Sequence, residues 1–349
     1  MTTIDIIDAH IHYWDPYTTP RTASGPVKLL GRFPSILRFL GRFVTTQEAL
    51  DFFAGGEEFF SPHLPADYFG NIGDFRVKGV VHIQADWVSG SPMGAAEETA
   101  WLASLDRPPL AIVGEAHLDA NNLDALLDAH EATSPLFRGV RDMLAHHPSG
   151  KVHNFHETAD QMARPAFRQG FARLGERDLT FDAFIYSNQL NDLCDLVEAI
   201  PQTRIVVDHV ATPVGLMGPF GSLGETAVSR QKIQQDWYEG LTRLAQSEHV
   251  MMKLSGLFMP VVGWEFKGWK RPLTVDEVVD AIGPHIQFVI DTFGIDRCIF
   301  ASNFPPDSTI IDFQTYYAAY FKIVAGLNKT DQRKLFHDNA ARFYRISGV

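Results

Sequence analysis

Two cysteines, Cys194 and Cys298, are all that 349 residues contain. So few exclude a disulfide framework and point to a reducing compartment, which makes the cytoplasm the expected location. No apolar run is long enough to span a bilayer, and the first one is interrupted by Asp5 and Asp8. That run also lacks the basic stretch and apolar core of a signal sequence, so it reads as a strand. Cations are in short supply, 30 Lys and Arg against 42 Asp and Glu, for a formal charge of −12. Such a surface discourages nucleic acid as a partner, and no segment calls for a membrane. A glycine-rich turn after the first strand-like run, as a doubly wound dinucleotide-binding sheet would carry, is missing. The 45% hydrophobic and 21% charged content, with mean hydropathy −0.08, is that of a globular core-former.

What is present is a repeated alternation. Eight runs rich in Val, Ile and Phe are expected strands: 4–12, 77–85, 110–118, 137–144, 179–186, 204–211, 250–257 and 297–304. Apolar residues at helical spacing predict helices over 95–105, 123–130, 166–174, 190–200, 234–247, 275–293 and 331–344. Thr274 and Glu277 supply a capping box for the sixth of these. Strand and helix alternating eight times is the pattern of an α/β protein of the (β/α)8 TIM-barrel type. No composition break divides the chain, so one domain over 1–349 is expected, with an insertion at about 17–75 after strand one.

Long connections after strands open at the C-terminal face, where such barrels keep their chemistry. Residues 16–47 hold no acidic residue before Glu48 but carry Arg21, Lys28, Arg32, Arg38 and Arg42, interleaved with Leu29, Phe33, Ile36, Leu40 and Phe43. This island reads as an amphipathic lid or as a contact between copies in a homo-oligomer, and secondarily as an attractor for an anionic substrate. The segment 258–272 adds Trp264, Phe266, Trp269, Lys267, Lys270 and Arg271, and 212–230 reads as a glycine-rich, mobile loop.

Polar residues closing apolar strands are the candidate site. His10 and His12, two apart, point the same way from strand one. Strand two ends in Gln84, with Asp86 and Trp87 beyond, and strand three offers Glu115 and His117. Arg141 and Asp142 follow on strand four. Strand five gives Asp182 or Tyr186, depending on which parity faces inward. Strand six closes with Asp208-His209, strand seven with Lys253 and Ser255, and strand eight with Asn303, then Asp307 after Pro305-Pro306. Arg141 and Lys253 suit a carboxylate on a small anionic substrate. The histidines His146, His147, His153 and His156 fall in a Pro/Gly-containing loop without ligand spacing and read as surface.

Taken in order, these elements resemble the amidohydrolase superfamily, in its amidohydrolase-2 branch that includes sugar-lactone and 2-pyrone-4,6-dicarboxylate lactonases. The matching segments are Asp8-Ala9-His10-Ile11-His12, Val81-His82-Ile83-Gln84, Gly139-Val140-Arg141, Val207-Asp208-His209, Lys253-Leu254-Ser255-Gly256 and Phe300-Ala301-Ser302-Asn303-Phe304-Pro305. The resemblance implies a hydrolase and one divalent metal, such as zinc, held by His10, His12 and His209. Two departures stand out. The strand-five histidine of metal-dependent members is absent, and Asn303 stands where most carry a water-activating aspartate. An amide accepts no proton at neutral pH, so Asp307 becomes the first candidate base, ahead of Asp182, Glu115 and His209. Gln84, Arg141, Lys253, Ser255 and Trp87 are the expected substrate contacts. The expected reaction is hydrolysis of a carboxylated or sugar-derived lactone. Alternatives are metal-dependent decarboxylation of an aromatic or enolic acid, and a binding protein that has lost its base.

Overall fold

The computed structural model describes residues 4–22, 24–30, 33, 46–53, 60–264 and 272–349. Among them run eight parallel strands in sequence order: β1 (Ile6–Ile11), β2 (Val77–Ile83), β3 (Ala111–Glu115), β4 (Phe137–Met143), β5 (Thr180–Phe184), β6 (Arg204–Val207), β7 (Val250–Leu254) and β8 (Cys298–Phe300). The ring closes where His12 N donates to the Phe304 carbonyl and Asn303 N to that of His10, each at 2.9 Å. This is the expected (β/α)8 barrel. Every strand is shorter than the sequence expectation.

Helices fill most of the expected places: Gly94–Ala103, Leu123–Thr133, Pro165–Glu176, Leu190–Ala199, Ala227–Leu244 and Val275–Phe293. The last of these starts at the Thr274–Glu277 capping box. The helix at 227–244 begins seven residues before its expected start, because Thr226 and Ser229 form a second box upstream. Phe313–Ile323 was not foreseen, and its aromatic face (Phe313, Tyr316, Tyr317, Tyr320) packs into the outer core.

Two apolar layers result. Ile7, Ala9, Val81, Ile83, Ala111, Val113, Val206, Met251, Ile299 and Ala301 fill the barrel, and Ala340, Phe343 and Tyr344 join them from the C-terminal segment. That segment lies at the strands' N-terminal ends, where Arg345 donates to the Arg138 carbonyl at 3.3 Å. The second layer lies between strands and helices.

One irregularity decides where the histidines point. Asp8 pairs with Val80 and Ile11 with His82, so three steps on β1 span two on β2. The extra residue is a β-bulge. Ile7 and Ala9 face inward, and unbroken alternation would send His10 outward. With the bulge, Ile11 faces the outer layer while His10 and His12 turn into the barrel mouth. Asp8 is turned the other way, accepting from Ser302 N at 2.9 Å and from the Tyr68 hydroxyl at 2.6 Å.

The insertion is stapled down at several points. Arg21 is buried, bonded to Glu98 at 2.8 Å and set beside the rings of Trp87 and Trp101. It is therefore a structural pair, not part of a basic surface. Asp86 accepts from both Thr22 N and Thr22 Oγ1. Trp14 and His63 exchange two backbone bonds, and His63 Nδ1 donates to the His12 carbonyl at 2.6 Å. The short helix Gln47–Phe52 seats Phe52 against Phe155, with Phe184 behind. Arg32, Arg38, Arg42, Phe266, Lys267, Trp269, Lys270 and Arg271 lie outside the described residues. The loop expected to be mobile is instead held, Gly215 N and Met217 N donating to the Val261 and Val262 carbonyls.

Candidate active site

His10, His12, Arg141, Asp182, Asp208, His209, Lys253, Ser255, Asn303 and Asp307 are all buried, and most converge on the barrel axis. Parity resolves strand five: Asp182 pairs with Arg141 and faces inward, whereas the Tyr186 hydroxyl donates to the His153 carbonyl. His10 is the hub. Its Nδ1 lies 3.2 Å from Asp208 Oδ1 and 3.1 Å from Lys253 Nζ; its Nε2 lies 3.2 Å from His12 Nε2. His12 Nδ1 sits 2.8 Å from the Ile83 carbonyl. The His209 ring packs 4.4 Å from that of His10, centroid to centroid, and its Nδ1 lies 2.9 Å from Ser255 Oγ.

Below the rings lies an ion-pair layer. Lys253 contacts Asp182 and lies 3.0 Å from Asp208, and the Tyr344 hydroxyl donates to Asp182 at 2.7 Å. Arg141 donates to the Gln84 carbonyl at 2.8 Å and stands 3.8 Å from Asp208 Oδ2. Two cations facing two carboxylates make the layer nearly neutral, which is the condition for burying it.

His209 owes its position to an unusual backbone. His209, Val210, Ala211 and Thr212 all have positive φ, at 55°, 48°, 61° and 36°. Such values are costly for a β-branched residue and persist where packing over-determines them. Here the Trp237 indole donates to the Val210 carbonyl at 2.7 Å. Gly256 explains the rest of its motif: a Cβ there would lie 2.4 Å from His209 Cβ. Lys253-Leu254-Ser255-Gly256 thus supplies an ion-pair partner, a hydrogen-bond partner for His209, and the space that imidazole needs.

Electrostatics separate the groups. Burial, reinforced by Lys253 for His10 and by Arg141 for His12, holds both imidazoles well below their usual range. Burial takes His209 down to about 3. All three are neutral at pH 7, with lone pairs available. Burial pushes the Asp208 carboxyl up, but Lys253 and His10 outweigh it, and Asp208 stays charged. Burial lifts Asp182 to about 6 against the pull of Lys253.

Three expected contacts fall elsewhere. Trp87 donates to Glu97 at 3.3 Å and flanks Arg21 on the outer side of the β2 connection, away from the histidines. Gln84 serves through its backbone carbonyl, while its side chain accepts from Asp86 N at 3.4 Å. Lys253 is fully buried, and its polar contacts are with Asp182, Asp208 and His10. Asp307 lies next to Asn303, whose Nδ2 donates to it at 2.8 Å; its other oxygen accepts from Phe258 N at 3.3 Å. Burial pushes this carboxyl up to about 8. A group mostly protonated at pH 7, with both oxygens engaged, positions Asn303 and is poorly placed as a base. Two further candidates, Glu115 and Asp182, are also raised by burial. The loop histidines, expected at the surface, are half-buried: His146 bonds the His156 carbonyl, His147 accepts from Ser149 N, and His153 packs against Phe52 and Phe155. Sequence reasoning missed His63 and Tyr344, which reach the site from distant segments and carry no local signal. It also left Asp208 out of the ligand set, although an aspartate closing the run Ile205–Val207 was a signal.

As a possible metal centre, His10, Asp208 and His209 each offer a ligand atom within 4.8 Å of the others. Buried Asp208 Oδ2 has no hydrogen-bond partner, and the imidazoles are neutral, so this donor set fits one divalent cation. Asp208 thereby joins the expected His10 and His209, with His12 alongside.

A barrel with buried histidines and a carboxylate at its C-terminal mouth is the architecture of a hydrolytic enzyme site. The amidohydrolase family profile matches residues 7–346, and the chain belongs to that family as an enzyme of it. It is 29% identical to an uncharacterized protein, y4mH, of Sinorhizobium fredii, over 99% of this chain and all of that one. It is also 29% identical to an L-fucono-1,5-lactonase of Burkholderia ambifaria, over 68% of this chain and 70% of that one. Among solved structures, an amidohydrolase of Burkholderia multivorans with bound zinc superposes with TM-score 0.71 at 21% identity, covering 98% of this chain and 99% of the other. Among the described residues no helix is long and apolar enough to cross a membrane.

Proposed function

We propose that the protein hydrolyses a lactone, sugar-derived or carboxylated, at the His10–His12–His209 cluster. The observation that carries this reading is Arg141. Its buried Nε has no hydrogen-bond partner, while its NH1 lies 3.5 Å from His10 Nε2. A guanidinium with an unpartnered Nε beside neutral imidazoles suits the carbonyl or carboxylate oxygen of a small anionic or polar substrate. The lactonase relative supports the reaction class.

His12 is the proposed proton acceptor. The Ile83 carbonyl can only accept, so the His12 proton sits on Nδ1 and Nε2 carries the lone pair. Water displaces the His10 N–H from that nitrogen and loses its proton to it as the water oxygen bonds to the ester carbon. Arg141 steadies the oxyanion, the ring C–O bond breaks, and the proton passes to the departing alkoxide. A divalent ion, Zn2+ being the proposed one, would be held by His10, Asp208 and His209 and would polarise the carbonyl.

The test is a panel of sugar and carboxylated lactones, including L-fucono-1,5-lactone, followed by acid release with added zinc and with chelator. Hydrolysis that Arg141→Met reduces at least a hundredfold is expected. Inactivity on the whole panel, or carbon dioxide release from aromatic acids instead, refutes the proposal.

A further inference from the structure

The contacts of Lys253 bear on which nitrogen of His10 carries the proton, and with it on how ready the site is for a metal. An ammonium has three N–H groups and accepts nothing. Lys253 Nζ has three acceptors around it: Asp182, Asp208 Oδ1 at 3.0 Å and His10 Nδ1 at 3.1 Å. For Lys253 to donate to His10 Nδ1, that nitrogen must be bare, so the single proton of the neutral ring sits on Nε2. Nε2 then faces the bare Nε2 of His12 at 3.2 Å and donates to it. His12 in turn gives its Nδ1 proton to the Ile83 carbonyl at 2.8 Å. In the chain Lys253, His10, His12, Ile83, every donor meets an acceptor.

The other tautomer breaks that order. With the His10 proton on Nδ1, it donates to Asp208 Oδ1 at 3.2 Å and turns away the Lys253 ammonium. Two bare Nε2 atoms are then left face to face. That arrangement is repulsive unless a cation lies against them; the Arg141 guanidinium stands 3.5 Å from His10 Nε2, a longer contact than the 3.1 Å from Lys253 to Nδ1. It is also the arrangement a metal bound through His10 Nε2 requires. Lys253 adds a full positive charge against Asp208, one of the prospective ligands, and the site is too buried for water to screen it.

We propose that Lys253 is a resident cation that holds His10 in the Nε2–H tautomer and competes with a divalent ion for the His10–Asp208–His209 group. The ammonium supplies the positive charge the buried carboxylates need, and the protein binds zinc weakly as a consequence. The inference rests on that group being the metal-capable one. It does not depend on which substrate is turned over, and its test uses no substrate.

The experiment titrates Zn2+ into chelator-treated full-length protein against a chromophoric competitor. Wild type is compared with Lys253→Met and with Lys253→Met/Asp182→Asn. The double variant removes one buried charge of each sign, so it stays folded where the single variant does not; circular dichroism checks this. The double variant is expected to bind zinc at least tenfold more tightly than wild type, and adding His209→Ala is expected to abolish the gain. In metal-free wild type, 15N-histidine spectra are expected to place the His10 proton on Nε2. Equal or weaker zinc binding by the double variant overturns the proposal. So does a gain that survives His209→Ala, or a His10 proton found on Nδ1. If lactones go unhydrolysed while these zinc and tautomer results hold, only the functional reading fails.

Discussion

Replacing Asp307 by asparagine tests whether this carboxyl is a buried acid or the base the sequence suggested. Its folded pKa, pushed up to about 8, stands above the unfolded value near 4. A group raised in this way contributes stability that is complete below the unfolded pKa and lost as pH climbs through the folded one. Between these limits the native state holds a proton that the unfolded chain has released. Stability therefore falls by up to about 1.4 kcal/mol per pH unit. Integrated from pH 6.5 to pH 8, the loss is about 1.6 kcal/mol for this one group. The window is chosen because His10, His12 and His209 are lowered by burial and act with the opposite sign, but only below about pH 6.5. Losing an acceptor opposite Phe258 N costs Asp307→Asn some stability at every pH, and that offset leaves the slope alone. The assay is urea denaturation of both proteins at quarter-unit steps across the window. The wild-type curve should decline relative to the variant by about 1.6 kcal/mol. Parallel curves would mean that Asp307 is ionised in the native state, and the argument against it as a base would collapse.

Arg21→Met removes one partner of a pair whose side chains are 4% and 2% exposed, leaving Glu98 uncompensated. The expected cost is about 3–5 kcal/mol in denaturant unfolding, and a loss under 1 kcal/mol would rule out a structural pair. Tyr344→Phe deletes the 2.7 Å hydrogen bond to Asp182 and should destabilise by about 1–2 kcal/mol, read the same way. Gly139→Ala places a Cβ 2.1 Å from Thr180 Oγ1 and 2.2 Å from the Thr180 carbonyl oxygen. Because one contact is backbone, the variant is expected to lose about 3 kcal/mol or fail to fold, judged by soluble yield and thermal melting. His63→Phe removes the donor to the His12 carbonyl. It should lower kcat roughly tenfold with KM little changed, since it loosens His12 without touching a substrate contact; a KM effect alone would contradict this.

The barrel was legible because its strands are buried on both faces and so are written as unbroken apolar runs, such as Ile205–Val207 before Asp208. His10, His12, Arg141, His209 and Lys253 were legible for the complementary reason that polar side chains ending such runs lack a bland structural use. Their roles were less so. Lys253 read either as a substrate contact or as an internal ion-pair partner, and its contacts with Asp182, Asp208 and His10 favour the second. Trp87 read as part of the mouth because it follows β2 closely, yet one step of chain direction carries it to Arg21. His63 and Tyr344 had no signal, since each acts through a contact that spans more than fifty residues of chain.

By itself, then, the sequence determined the architecture and the roster of strand-end polar residues, because hydrophobic periodicity and chain order are local properties. Tertiary structure alone decided what those residues are for. The bulge between Asp8 and Ile11 turns His10 inward against the strand's own alternation. The left-handed run from His209 to Thr212 presents a second imidazole to it. Burial keeps the imidazoles neutral and Asp307 protonated, while Lys253 and His10 hold Asp208 ionised against it. Charge state depends on what surrounds a group in three dimensions, and no spacing along the chain encodes that.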